Sequence, residues 1–202
     1  MGNPGDLVWG SEEIRKIRSI RKSNEVRFTA SLCARCNNTV SQPFDYAYDV
    51  FSDFAWSNAS LWEAEYVDWW DVYGTTWGSA SLNLARYVAK HLGCRMVHDG
   101  YAVPDSLKAF LDGAPTIADV SMGLIKSSAH HDLYLMGVRD GLDTRGLWNP
   151  PAEGTVSRSR QCLTSYWSAT IIGFVGIAYI WEEGQSGGES FHTRRTTPLR
   201  LF

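Results

Sequence analysis

The sequence contains no lysine or arginine between residues 37 and 80, although seven acidic residues fall there. Residues 1–36 carry seven Lys/Arg against four acids, and residues 81–202 carry twelve against eleven. The formal net charge of −3 therefore hides an uneven distribution, and the chain as a whole does not have the charge of a polyanion binder. If any part binds phosphate, the first 36 residues are the expected place.

Long apolar runs and secretory features are also missing. The longest apolar run, residues 169–181, has 13 residues, which is short of the about 20 that a membrane helix needs. The first ten residues lack the basic start and apolar run of a signal peptide. We therefore expect no membrane partner and a reducing, cytoplasmic location. There, a Cys-x-x-Cys pair is more often a metal or redox motif than a disulfide.

The apolar pattern predicts an α+β fold with an aromatic core. After Ser41, apolar residues recur at helical spacing from Phe44 to Ala55, and five tryptophans follow between residues 56 and 77. Further predicted elements are helices over 81–92, stopped by Gly93, and 106–111, strands over 117–125 and 133–138, and two strands within 162–181 that meet near Gly173 or Gly176.

The sequence divides into three predicted segments. Residues 1–56 form the segment around the cysteine pair, 57–182 form the α+β region, and 183–202 form a flexible tail rich in Gly, Ser, Thr and Arg. Within the first segment, residues 1–13 are expected to be loose. Residues 14–29 fit either a helix or a hairpin with a turn at 22–25, and the alternation favours the hairpin.

The stretch Leu32-Cys33-Ala34-Arg35-Cys36-Asn37-Asn38, followed by a turn and a helix, resembles the second zinc knuckle of HNH-type (treble-clef) endonucleases. The resemblance covers residues 31–56. It implies that Cys33 and Cys36 are ligands of a structural Zn²⁺ that pins a hairpin to the following helix. It also implies nucleic-acid binding and, in the family, hydrolysis by a histidine base with a divalent ion such as Mg²⁺ or Mn²⁺.

The chain departs from the family pattern upstream of Cys33, where it has no cysteine and no histidine. The first knuckle and the catalytic Asp/Glu-His pair are therefore missing, and no catalytic residue is assigned. An in-frame Cys-x-x-Cys and Asp/Glu-His pair encoded before Met1 would restore the prediction of a hydrolase.

Two alternatives exist for the cysteine pair. His91 and Cys94 are three residues apart and would complete a Cys₃His zinc site with Cys33 and Cys36. Otherwise, Cys94 starts a buried strand, His91 caps a helix C-terminus, and the pair is a vacant remnant. A redox role is less favoured because the predicted helix cap, Ser41, lies five positions after Cys36.

Other polar clusters have both a functional and a structural interpretation. The basic residues of the first segment fit either phosphate contacts, as in the HNH hairpin, or a solvated strand face; they are Arg15, Lys16, Arg18, Arg21, Lys22, Arg27 and Arg35. The stripe of Asp45, Asp49 and Asp53 predicts a solvated helix face more readily than a Mg²⁺ site. The run His130-His131-Asp132 predicts a surface turn, and the tryptophans predict core packing more readily than base stacking.

The sequence thus predicts an HNH-like protein of nuclease descent that binds nucleic acid, DNA included, with an incomplete active site in this chain. The alternative is a non-catalytic α+β binding or interaction protein that retains the knuckle as a remnant.

Overall fold

The computed structural model describes residues 35–202 and, for their backbone, residues 8–10 and 14–16. The described part is an α+β fold, as the sequence predicts. Its helices are α1 (Gln42–Ser57), α2 (Trp69–Tyr73), α3 (Trp77–His98), α4 (Asp105–Leu111) and α5 (Ser128–Arg139). Its strands are β1 (Val8–Gly10), β2 (Ile14–Lys16), β3 (Tyr66–Asp68), β4 (Val120–Lys126), β5 (Leu147–Trp148), β6 (Glu153–Ser157), β7 (Cys162–Ile172), β8 (Val175–Glu182) and β9 (Thr196–Leu201).

Strands β3 to β9 form one mixed sheet. The order is β3-β9-β4-β8-β7-β5, and β6 also pairs with β7. Only the contact between β4 and β9 is parallel; the other pairings are antiparallel. The strands β7 and β8 meet in a hairpin at Gly173, whose φ of 62° is in the left-handed region that favours glycine. The predicted pair of strands in 162–181 is therefore confirmed.

The helices α1 and α3 cover one face of this sheet and run antiparallel to each other. Lys90 of α3 contacts Asp45 near the start of α1, and Tyr87 stacks on Tyr48 one turn later with ring centroids 4.0 Å apart. The apolar face predicted for α1 is confirmed, with Phe51 fully buried in the core. Burying such a side chain contributes roughly 1.5–3 kcal/mol.

The aromatic core is also present, centred on Trp69. Its side chain is fully buried, and its indole Nε1 donates to the Thr197 hydroxyl at 2.9 Å. Trp70, in contrast, remains 44% exposed. The tryptophan-rich segment thus packs chiefly as a core, which favours the structural interpretation of that cluster.

The predicted stop at Gly93 is wrong, because helix α3 continues to His98. A Cβ at Gly93 would lie 3.1 Å from Leu107 Cδ2 of α4. The glycine therefore serves close packing between helices and does not end α3. Cys94 accordingly lies in a helix, not at the start of a strand.

The prediction of a strand over 133–138 is also wrong, since these residues belong to helix α5. Inward contacts recur at helical spacing: the His131 ring stacks on Trp62 with centroids 3.8 Å apart, and Tyr134 packs on Phe174 at 5.3 Å. The leucines and methionine that suggested a strand point outwards. The residues His130-His131-Asp132 therefore lie on a helix and not in a surface turn.

The expectation that the tail from residue 183 frays is wrong as well. Thr196–Leu201 forms strand β9 between β3 and β4, and Leu199 is buried against Leu124. Side chains in the tail alternate between the two faces of the strand: Thr197 and Leu199 lie on one face, and Thr196, Pro198 and Arg200 lie on the other. This alternation is the pattern of a half-buried strand.

In the first segment, Ile14–Lys16 is a strand but pairs with Val8–Gly10, which was expected to be loose. The predicted second strand and turn, in 22–29, lie outside the described residues. Helix α1 is present after Ser41 as predicted. A single π-helical turn, Cys36–Val40, precedes it, and the Ser41 N–H donates to the Cys36 carbonyl at 3.1 Å.

Candidate functional site

The face of the sheet away from α1 and α3 carries a groove of about 690 Å³. Such a volume is within the usual range of ligand sites. The floor consists of outward-facing residues of β4, β8 and β7. Its far wall is the connection between β8 and β9.

Strand register explains the shape of the floor. Gly123 of β4 lies opposite Ala178 of β8, which lies opposite Ala169 of β7. This row of small residues crosses three strands, and a Cβ added at Gly123 would meet no atom within 4 Å. Ala169 is buried, with 2% of its surface exposed, and is not part of the groove lining, so the trough in the sheet surface consists of Gly123 and Ala178.

Larger side chains flank the trough on both sides. On one side, Ile180 of β8 is paired with Trp167 of β7. On the other side, Ile125 and Ile171 lie in a row with Gly176 and form a small apolar cluster. Ile171 and Gly176 are buried, so of this second row only Ile125 is part of the groove lining.

The far wall is seated on the sheet through backbone contacts. The Gly188 N–H donates to the Ala118 carbonyl at 2.7 Å, and the Met122 N–H donates to the Glu189 carbonyl at 2.7 Å. A Cβ at Gly188 would lie only 2.4 Å from the Val120 carbonyl oxygen. This close approach requires glycine at position 188.

Gln185 of this wall has an unsatisfied polar atom. Its side-chain oxygen is buried at the groove and has no hydrogen-bond partner in the part of the chain that the structure describes. Because a buried acceptor without a donor costs about 1–3 kcal/mol, a ligand that donates a hydrogen bond there would recover that cost.

Two arginines line the groove on the side of β9. Arg194 and Arg200 make no ion pair with any residue in 35–202, whereas the neighbouring Arg195 forms a bidentate pair with Asp68 at 2.8 Å. Glu189 is the acidic residue of the lining. The groove thus has an excess of one positive charge and arginine donors available for an anionic ligand.

The predicted zinc ligands are only partly described. Cys33 lies outside the described residues, and Cys36 is exposed at the start of the π-helical turn. Because α1 and α3 are antiparallel, Cys36 and Cys94 lie at the same end of the helix pair. Within residues 35–202, however, no three His, Cys, Asp or Glu side chains are placed to hold a metal ion. The predicted site of Cys33, Cys36, His91 and Cys94 includes a residue outside the described part of the chain, so both this site and the pairing of Cys33 with Cys36 stay predictions.

His91 faces the sheet. Its Nδ1 lies 3.1 Å from the Tyr179 hydroxyl, and burial lowers its pKa to about 3, so the ring is neutral. Next to it, Arg95 donates to the Ser168 hydroxyl at 2.7 Å and to the Pro150 carbonyl at 2.6 Å. This polar network fastens α3 to β7 and β8. The sequence singled out His91 only as a possible zinc ligand or helix cap, and it did not identify Arg95, Ser168 and Tyr179, because their pairing depends on the sheet register.

The acidic stripe of α1 does not act as a unit. Asp45 pairs with Lys90, and the Ser41 hydroxyl accepts from the same lysine at 3.2 Å. The pKa of Asp49 is raised by burial and by the neighbouring Asp45 and Asp53. Asp45 therefore joins α1 to α3, and the three carboxylates do not form a group of metal ligands among the described residues.

Most of the basic residues predicted to contact phosphate cannot be placed. Arg18, Arg21, Lys22 and Arg27 lie outside the described residues; Arg15 and Lys16 lie in β2, and Arg35 precedes the π-helical turn. Their role stays a prediction. The groove arginines were not singled out from the sequence because the tail was expected to be flexible.

Comparison with family models, with curated proteins and with solved structures finds no match for this chain. Among the described residues, no helix has both the length and the apolar character needed to cross a membrane. The α+β fold class is therefore established from the structure alone.

Proposed function

We propose that the protein binds nucleic acid in the groove on the outer face of its sheet, with preference for unpaired strands. The observation that carries this proposal is the trough of Gly123 and Ala178, with Trp167 on one flank and two arginines on the same face. The proposal concerns binding, and no cleavage step is assigned.

Each part of the groove has a counterpart in a single strand. Bases stack on aromatic side chains regardless of sequence, and Trp167 offers such a surface beside an apolar trough. Arginine guanidinium groups bind phosphate, the charge that repeats along the strand. The unsatisfied oxygen of Gln185 accepts a hydrogen bond, which the amino group of an unpaired base donates.

A duplex fits this surface less well. Its bases are stacked on each other and paired, so they present no open face to Trp167. The basic first segment, in contrast, is the part that the HNH resemblance places against a duplex. The groove therefore predicts binding of single strands, whereas the first segment predicts binding of a duplex.

Fluorescence anisotropy with labelled oligonucleotides tests the proposal. We expect the protein to bind a single strand more tightly than a duplex of equal length, with an affinity that falls as salt rises. Trp167→Leu should weaken binding by about 1–3 kcal/mol, which is the usual value for one stacked base. Arg200→Ala should lower the salt slope by about 0.7, the value for one phosphate contact on a single strand.

Two controls make the result specific. Arg158→Ala removes an exposed arginine that is not part of the groove lining and should leave binding unchanged. Alanine at Arg15, Lys16 and Arg18 tests the first segment instead. If only this triple variant loses binding, the groove proposal is wrong and the first segment is the binding element.

Kinship with HNH endonucleases remains a separate hypothesis, supported by the Cys33 to Asn38 stretch. It predicts about one zinc per chain in the purified protein. Cys36→Ser should then remove the metal, whereas Cys162→Ser should not. Incubation with plasmid and Mg²⁺ or Mn²⁺ tests cleavage directly, and nicking that survives rigorous repurification would contradict the incomplete active site.

A further inference from the structure

Helix α5 exposes most of its surface, including several large apolar side chains. Gly137 is its one fully buried residue, while four of its large apolar side chains are about half exposed: Leu133, Leu135, Met136 and Val138. With 3.6 residues per turn these four side chains spread around the helix, and Leu135 and Met136 are the two that lie opposite its inward face.

The inward face of α5 is already occupied. His131 stacks on Trp62, Tyr134 packs on Phe174, and a Cβ at Gly137 would lie 2.8 Å from Thr144 Cγ2. The opposite stripe is Asp132, Leu135, Met136 and Arg139, with spacings of three, one and three residues. These four residues share one side of the helix.

The charges at the two ends of this stripe are opposite. Asp132 makes no ion pair with any residue that the structure describes, and Arg139 pairs only with its exposed chain neighbour Asp140. Such an exposed pair contributes little and is readily exchanged. The two charged positions lie at equal distances from the midpoint between Leu135 and Met136.

We propose that α5 is the contact surface between two copies of this chain. A two-fold axis through the midpoint of the stripe makes the two helices antiparallel. It places Leu135 against Met136 of the second copy, and Asp132 against Arg139 of the second copy, twice over. A two-fold interface must be self-complementary in this way, and the stripe satisfies that condition.

The second copy explains the stripe better than a membrane surface does. Helices that lie on anionic membranes carry lysines or arginines along the polar face, whereas this stripe has one acid and one base. The helix is about 18 Å long, so the contact is small and we expect a reversible dimer with a dissociation constant on the order of micromolar.

Sedimentation equilibrium over low- to high-micromolar protein tests the proposal through charge reversal. The wild-type protein should pass from monomer to dimer as its concentration rises. Asp132→Arg should weaken association by roughly tenfold or more, because like charges then face each other at both ends. Arg139→Asp should have the same effect, and the double variant should restore the wild-type constant.

Arg158→Asp is the matched control, since it reverses an exposed charge away from α5 and should not change association. Circular dichroism of each variant verifies that the exposed substitutions leave the fold intact. A wild-type protein that stays monomeric throughout would overturn the proposal. A dimer insensitive to the reversals, or not restored by the double variant, would equally overturn it.

Discussion

Gly188 offers a steric test of how the groove wall is built. Replacing it with alanine adds one carbon, which would lie 2.4 Å from the Val120 carbonyl oxygen and 2.9 Å from that of Ala118. Both obstacles are backbone atoms, so no side-chain rotation relieves them. The φ of Gly188 is outside the left-handed region, so alanine adds crowding without backbone strain.

The magnitude follows from these distances. Ordinary carbon to carbonyl-oxygen contacts are about 3.3 Å or longer, so the new Cβ intrudes by about 0.9 Å. Either β4 or the wall must shift by that amount and lose the hydrogen bond from Gly188 to Ala118. Overpacking of this kind costs about 1–3 kcal/mol. For a chain of this size, that corresponds to a decrease in Tm of about 2–12 °C.

Thermal unfolding followed by circular dichroism measures the effect. Gly78→Ala is the matched control, because a Cβ there meets no atom within 4 Å and alanine favours helix α3. We expect the control to unfold at or slightly above the wild-type temperature. Gly188→Ala should also weaken oligonucleotide binding, since the wall carries Gln185.

A Gly188→Ala protein with unchanged Tm and unchanged binding would refute the reasoning. It would mean that residues 185–190 do not rest on β4 as described. Reduced binding with unchanged Tm would contradict the expected steric cost and would show only that the wall affects binding.

Further predictions concern the core and the polar network under α3. Phe51→Ala should lower the free energy of unfolding by about 3–5 kcal/mol in a urea titration, because Phe51 is fully buried between α1 and the core; a loss below 1 kcal/mol would contradict the packing of α1. Burial holds the pKa of His91 at about 3, so the folded protein keeps the ring neutral while the unfolded chain takes up a proton near pH 6.5. The stability due to the neutral ring is therefore complete above pH 6.5 and falls by about 1.4 kcal/mol per pH unit down to about pH 3. His91→Gln should remove this contribution. Between about pH 7 and pH 5 the free energy of unfolding of the variant should therefore fall by about 2 kcal/mol less than that of the wild type. An equal fall in both proteins would contradict the burial of His91.

The spacing of apolar residues along the sequence was enough to predict the elements that bury a regular apolar face. Phe44 to Ala55 shows helical spacing and forms α1, and the run before and after Gly173 forms the β7–β8 hairpin. Both depend on contacts that repeat along one element. Their periodicity is therefore visible without the rest of the fold.

The errors arose where distant contacts decide the structure. Gly93 signals a helix end by propensity, but its packing against Leu107 keeps it within α3. Leu133 to Val138 looks like a strand because the outward apolar residues of α5 obscure the inward positions. The trough itself was not foreseeable, since Gly123 and Ala178 meet only through the register of two strands more than 50 residues apart.

The most direct test of the groove is the substitution Gly123→Val, measured for oligonucleotide affinity and Tm together. The open space above Gly123 accommodates the added side chain, and valine favours strands, so we expect Tm to be unchanged or higher. The same side chain fills the β4 part of the trough, so single-strand binding should be lost. A variant that folds with wild-type stability and retains wild-type affinity would contradict the claim that the sheet face is the binding site.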